Sequence, residues 1–201
     1  MGSGGHEVGK RLAVRLGIAF YDKELLSLTA QDSEFDVAFL KKMDEKRPDL
    51  LSVSAAGLHM GQDFYNTFNN RDNAYVAVSK KMRELASKGS SVFVGRCSDY
   101  ILREFNPVNI FITADINDRI RRKLALGEYP EFSEKDMMKF IESKEKKRCK
   151  FYEYYSHEKW GDSRHYNLCI DTAKIGIDGA VDLVVSYLER YGQRDIMPDK
   201  R

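Results

Sequence analysis

Four short apolar runs, 18–21, 91–94, 109–113 and 166–170, are spread along the chain, and each is followed at once by a segment with helical character. Apolar runs this short, bounded by polar or glycine positions, read as strands buried on both faces. Strands separated by helices cannot pair as hairpins, so the pattern commits the chain to an α/β fold with a parallel sheet and right-handed crossovers. In such folds ligands collect outside the C-terminal ends of the strands.

What stands at those ends is charged. Asp22 follows the first run and is placed either to cap a helix from Lys23 to Ala30 or to face a ligand, two roles that are compatible. Gly95 and Arg96 follow the second run; the glycine favours close approach of a ligand to the arginine, the alternative being a surface arginine. After the third run Asp115 or Asn117 starts a helix on which Arg119 and Arg122 are three apart. That spacing lets them converge on one anion, or else lie on a solvated face. Asp171 and Thr172 end the fourth run.

The chain opens Met-Gly-Ser-Gly-Gly-His-Glu and runs into a helix with apolar Val8, Leu12 and Leu16, stopped by Gly17. Residues without Cβ let main-chain N–H groups crowd round an anion, and the first helical turn adds unpaired donors and a positive dipole end. Phosphate suits such a loop. The same opening also has the composition of a linker. It departs from G-x-x-x-x-G-K-[ST], because His6 stands where the lysine follows the last glycine. Phosphate binding therefore needs cations from elsewhere in the chain.

The remaining segments read as follows. A second helix is predicted over 35–47, ending before Pro48, and 50–73 loses periodicity as a mobile inserted lobe of the lid or binding-loop kind. Helical spacing resumes over 74–86. Residues 98–104 form a brief helix. Ser133 and Asp136 resemble a capping box that opens a long polar helix to about His157. Its Lys144, Lys147 and Arg148 fall on one side, with Phe140, Phe151, Tyr154 and Tyr155 for apolar contact, as in an arm that closes over a site. A closing helix covers 177–188, and 192–201 is a loose tail.

A chain of 201 residues with 42% hydrophobic content builds one domain. Its 33 Lys and Arg against 31 Asp and Glu leave a formal charge of +2, which makes no case for a nucleic-acid or membrane surface. Cys97, Cys149 and Cys169 are odd in number and widely separated, poor material for disulfides or zinc. The four histidines, His6, His59, His157 and His165, lack metal-ligand spacing. With neither a signal-peptide pattern nor a membrane-length apolar run, a cytoplasmic location is expected.

In order and spacing, Gly2-Ser-Gly-Gly5, Leu12-Ala13 with Leu16-Gly17, Phe20-Tyr-Asp-Lys-Glu-Leu25, Val94-Gly-Arg-Cys97 with Tyr100-Ile-Leu102, and Ile170-Asp-Thr172 resemble the cytidylate kinase-like family, a branch of the P-loop nucleoside monophosphate kinases. The resemblance implies a three-layer P-loop kinase fold with a central parallel sheet. It implies a core of 1–32, 74–126 and 161–190, a monophosphate-binding insertion at 33–73, an arginine-bearing helical lid at 127–160 and a loose tail at 191–201. It also implies ATP, or another nucleoside triphosphate, and Mg2+ as cofactors, with small-molecule nucleotides as partners.

By that resemblance Gly2, Ser3, Gly4, Gly5, His6, Glu7 and Thr172 attend the donor phosphates, and Asp22 and Arg96 the acceptor. Arg119, Lys144 and Arg148 stabilise the transferred charge, and no protein metal ligands are assigned. Three departures stand against the pattern. Gly5 falls where the loop lysine belongs, Glu7 where the Mg2+-binding hydroxyl belongs, and Cys97 where cytidylate kinases continue with Asp. A P-loop also normally follows the first, central strand of the sheet. The sequence therefore leads us to expect about ten further residues ahead of Gly2, enough for one strand. The expected activity is phosphoryl transfer to a nucleoside monophosphate, CMP first; the alternative is a nucleotide-binding regulatory or structural protein that kept the fold without the chemistry.

Overall fold

The structure, a computed structural model, describes residues 1–33, 35–38, 40 and 61–194, with the backbone alone over 61–71 and 192–194. Most of the helix expected at 35–47, the stretch 41–60 of the expected insertion, and the tail beyond 194 lie outside the described residues.

Helix α1 (Gly5–Leu16) begins after Gly4 and ends at Gly17, both in the left-handed region that glycine enters without penalty; the Gly17 N–H closes the helix on Ala13 and Val14 carbonyls. Strand β1 (Ala19–Tyr21), helix α2 (Glu24–Gln31) and helix α3 (Gly61–Ser87) lead to β2 (Ser91–Phe93). Helix α4 (Ser98–Ile101) and a short 3-10 turn precede β3 (Ile110–Thr113). Helix α5 (Ile116–Ala125), the long helix α6 (Glu134–Ser156), β4 (Leu168–Asp171) and α7 (Thr172–Arg194) complete the order. Helix α7 breaks at Gly176 (φ 71°), so its packed part starts after that residue.

The strands form two parallel pairs. β1 lies beside β2, with Phe20 opposite Val92, and β3 lies beside β4, with Ile112 opposite Ile170. The β2 and β3 edges both line a cavity of about 1660 Å³, together with Val8, Gly9 and Leu12 of α1, Val184 and Leu188 of α7, and Phe151 and Tyr152 of α6. Helix α1 lies close on β2 because Gly9 has no Cβ: one added there would meet Val94 Cγ2 at 3.1 Å and Phe20 Cε2 at 3.2 Å. Val8 and Leu12 join Ile170, Ala180, Val181 and Val184 in one buried cluster. Burying each such Val or Leu contributes roughly 1.5–3 kcal/mol relative to exposure. A second cluster joins α2, α3, α4 and α6 through Leu25, Met82, Ile101, Phe151 and Tyr152.

Two expectations are corrected here. The aperiodic stretch before Ala74 is helical from Gly61 onward: once the packed stretch 74–86 has nucleated a helix, each preceding residue adds a hydrogen bond without a further nucleation cost. Helix α7 likewise carries the chain to Arg194, past the point where a loose tail was expected. The Ser133–Asp136 capping box is present, and α6 is anchored at both ends, by Met137 and Ile141 against Ile120 and by Phe151 and Tyr152 against α4.

Candidate functional site

The opening loop is oriented from outside. Arg119 Nε donates to the Met1 carbonyl at 2.7 Å, Arg122 Nη1 to the Gly2 carbonyl at 2.7 Å, and the Thr172 hydroxyl to the Ser3 carbonyl at 2.7 Å. The Gly4 carbonyl turns into α1 and accepts from Val8 N–H at 2.9 Å. Because each of these peptides is planar and trans, the N–H across from each carbonyl faces the other way. The amides of Gly2, Ser3, Gly4 and Gly5 thus turn from the side where the carbonyls are held, and the first-turn N–H groups of His6 and Glu7 follow them. Gly2 and Gly4 have φ of 79° and 83°, which side chains rarely adopt. Consecutive amides of this kind form an anion-binding nest.

Asp22 and Arg96 meet at the ends of β1 and β2. Arg96 Nη1 donates to Asp22 Oδ1 and to the Asp22 carbonyl, both at 3.0 Å, and the guanidinium is only 6% exposed. His6 Nδ1 lies 2.6 Å from the other Asp22 carboxylate oxygen, its ring edge on Phe20. The capping role expected of Asp22 is overturned, because Lys23 occupies the cap position of α2 without a side-chain bond. Arg96 and His6 claim the carboxylate instead. Gly95, Arg96 and Cys97 are all left-handed, with φ of 74°, 55° and 57°. This winding carries Arg96 back toward Asp22.

From the far side α5 and α6 bring the remaining charges. Arg119 is paired with Glu145 of α6, and Lys123 with Glu128 at 2.5 Å, which holds the Glu128 carboxyl below its ordinary range. One cavity is lined by the sequence-predicted Gly2, Ser3, Gly4, Gly5, His6, Glu7, Asp22, Arg96, Arg119 and Arg148. Thr172 sits beneath the loop, 2% exposed, as its support. Lys144 is not among the lining residues; its exposed ammonium lies 5.4 Å from the centre of the Phe140 ring. Glu145, Lys123 and Glu128 had no sequence signal that separated them from an ordinary charged helix face. Among the described residues no group of His, Cys, Asp and Glu is arranged to hold a metal ion, and no helix is long and apolar enough to cross a membrane.

A glycine loop opening a helix, beside the ends of parallel strands and close to several arginines, gives an α/β protein of kinase-like build. Residues 1–174 match the cytidylate kinase-like family, and the chain belongs to it. Among solved structures it is similar to an uncharacterized protein from Eubacterium ventriosum, with a TM-score of 0.67 and 27% identity over 94% of this chain and 92% of that one. No curated protein matches.

Proposed function

We propose that the chain transfers a phosphoryl group from ATP to a nucleoside monophosphate, with CMP the first acceptor to test. The observation that carries this reading is the opening loop, whose carbonyls at Met1, Gly2 and Ser3 are held by Arg119, Arg122 and Thr172. Phosphoryl transfer needs positioning and charge neutralisation more than covalent help from the protein. The amides of Gly2 to Glu7 hold the donor phosphates, while Arg96, steadied by Asp22, holds the acceptor phosphate. Arg119 and Arg148 neutralise charge between them. ATP with Mg2+ supplies the transferable group and its counter-charge when bound. This reading takes 33–73 as the acceptor-binding insertion and 127–160 as the lid of a three-layer P-loop kinase fold.

A second reading, nucleotide binding without chemistry, is favoured by Gly5 standing where the loop lysine falls. ADP release measured across the monophosphates, beside calorimetric ATP binding, separates the two. Turnover on one acceptor supports the kinase; ATP binding with no turnover on any supports the rival. Within an active enzyme Arg148→Ala should lower kcat by about a hundredfold or more, whereas Lys144→Ala, outside the cavity, should leave it near the parent value. Equal losses would remove the distinction.

A further inference from the structure

One side chain joins the two halves of the site. The main chain of His6 lies in the first turn of α1, directly after the glycine loop, while its ring meets Asp22 beside the ends of β1 and β2. Arg96, whose guanidinium is 6% exposed, holds the other oxygen of the same carboxylate. An ionised carboxylate can only accept, so at neutral pH His6 Nδ1 carries the hydrogen of the 2.6 Å contact. In the neutral imidazole this leaves a lone pair on Nε2, which has no partner among the described residues. The ring stands edge-on to Phe20, lines the cavity and is half exposed, so water reaches it. Of the charged groups on the elements that meet the ring, only Asp22 bonds it. Arg96 shares that carboxylate, Glu7 pairs with Arg11, and the exposed Lys10 and Lys23 carry no ion pair among the described residues.

A carboxylate that fixes an imidazole through Nδ1–H and leaves Nε2 open makes a general base: Nε2 takes the proton, and the carboxylate stabilises the imidazolium that results. Transfer to a monophosphate gives this base nothing to remove, because the attacking phosphate oxygen is already anionic at neutral pH. A nucleophile that arrives with its proton does need one taken, and water is the smallest.

We infer that the site also hydrolyses nucleoside triphosphates, with His6 as the base that activates the attacking water and Asp22 as the residue that positions His6. The water oxygen bonds to the γ-phosphorus as the bond from that phosphorus to the β,γ-bridging oxygen breaks. One water proton passes to Nε2 and then to solvent, and ADP and inorganic phosphate leave. This activity goes beyond transfer to a monophosphate and rests on the loop being the donor-phosphate site.

The test is phosphate release from ATP with Mg2+ and no acceptor, by the parent chain, His6→Ala and His6→Gln, beside calorimetric ATP binding. The parent should release phosphate at a rate that rises with pH across about 5–8, where imidazole loses its proton. Both variants should be slower by about a hundredfold or more and lose that rise, with ATP affinity near the parent's. Free imidazole added to His6→Ala should restore part of the rate. Phosphate release unchanged by His6→Ala, or a parent that binds ATP and releases none, overturns the inference, and turnover on CMP by that same parent leaves the kinase reading standing. Release that depends on His6, with no turnover on any monophosphate, upholds the inference and sinks the kinase reading. A parent that binds no ATP ends both. Should the variants not fold, the parent's pH profile decides, and a flat one overturns the inference.

Discussion

Replacing Asp22 by Ala separates the interaction that ties the ends of β1 and β2 together from one that merely accompanies it. The Arg96 side chain is 6% exposed and that of Asp22 14%, so their contact at 3.0 Å is poorly screened by water. A hydrogen bond to a charged group under such burial is worth about 1.5–3 kcal/mol net. Arg96 keeps the Asp22 backbone carbonyl after the substitution, which places the loss near 2 kcal/mol. His6 also reaches Asp22, at 2.6 Å, but is 54% exposed, and such a contact contributes under about 1 kcal/mol. Asp22→Ala should therefore lower the melting midpoint by about 4–8 °C, and His6→Ala by a small fraction of that. A double-mutant cycle with Arg96→Met, read by urea denaturation, should return a coupling near 2 kcal/mol. A coupling below about 0.5 kcal/mol, or equal shifts for Asp22→Ala and His6→Ala, would refute the assignment of the energy to the Arg96 pair.

Alkali offers an independent check. Burial, first of all, pushes the hydroxyls of Tyr75, Tyr152 and Tyr155 above their ordinary value, and that of Tyr166 up to about 12. The folded chain holds these protons longer than the unfolded one. Their contribution to stability is thus complete below the ordinary value of 10.0 and lost as pH rises through the folded values. Absorbance at about 295 nm should show part of the 11 tyrosines ionising near pH 10 and the rest only higher or on unfolding. A single step near the ordinary value would contradict the burial.

Local rules carried the sequence a long way. The four strands, the stop at Gly17 and the Ser133 capping box follow from residues within a few positions of one another, and each is present. What could not be read locally is the loop's orientation, because Arg119, Arg122 and Thr172 lie 118, 120 and 169 positions from the carbonyls they hold. Asp22 met every local criterion for a cap, yet Arg96, 74 positions away, takes its carboxylate. Helical spacing put Lys144 and Arg148 on one side of α6, but only Arg148 reaches the cavity. Four residues advance a helix by about 6 Å, enough to carry one of two neighbouring cations past the rim.

The wound backbone after β2 bears on how this end of the fold can change over generations. For a non-glycine residue a left-handed conformation is disfavoured by roughly 1–2 kcal/mol, and Arg96 and Cys97 adopt it in succession. The anchor on Asp22 opposes their relaxation, so losing either charge frees the turn to unwind and swing the other out of place. Drift at these two positions should consequently occur in concert, and a lineage that abandons the pair should be seen to replace the tight corner as well.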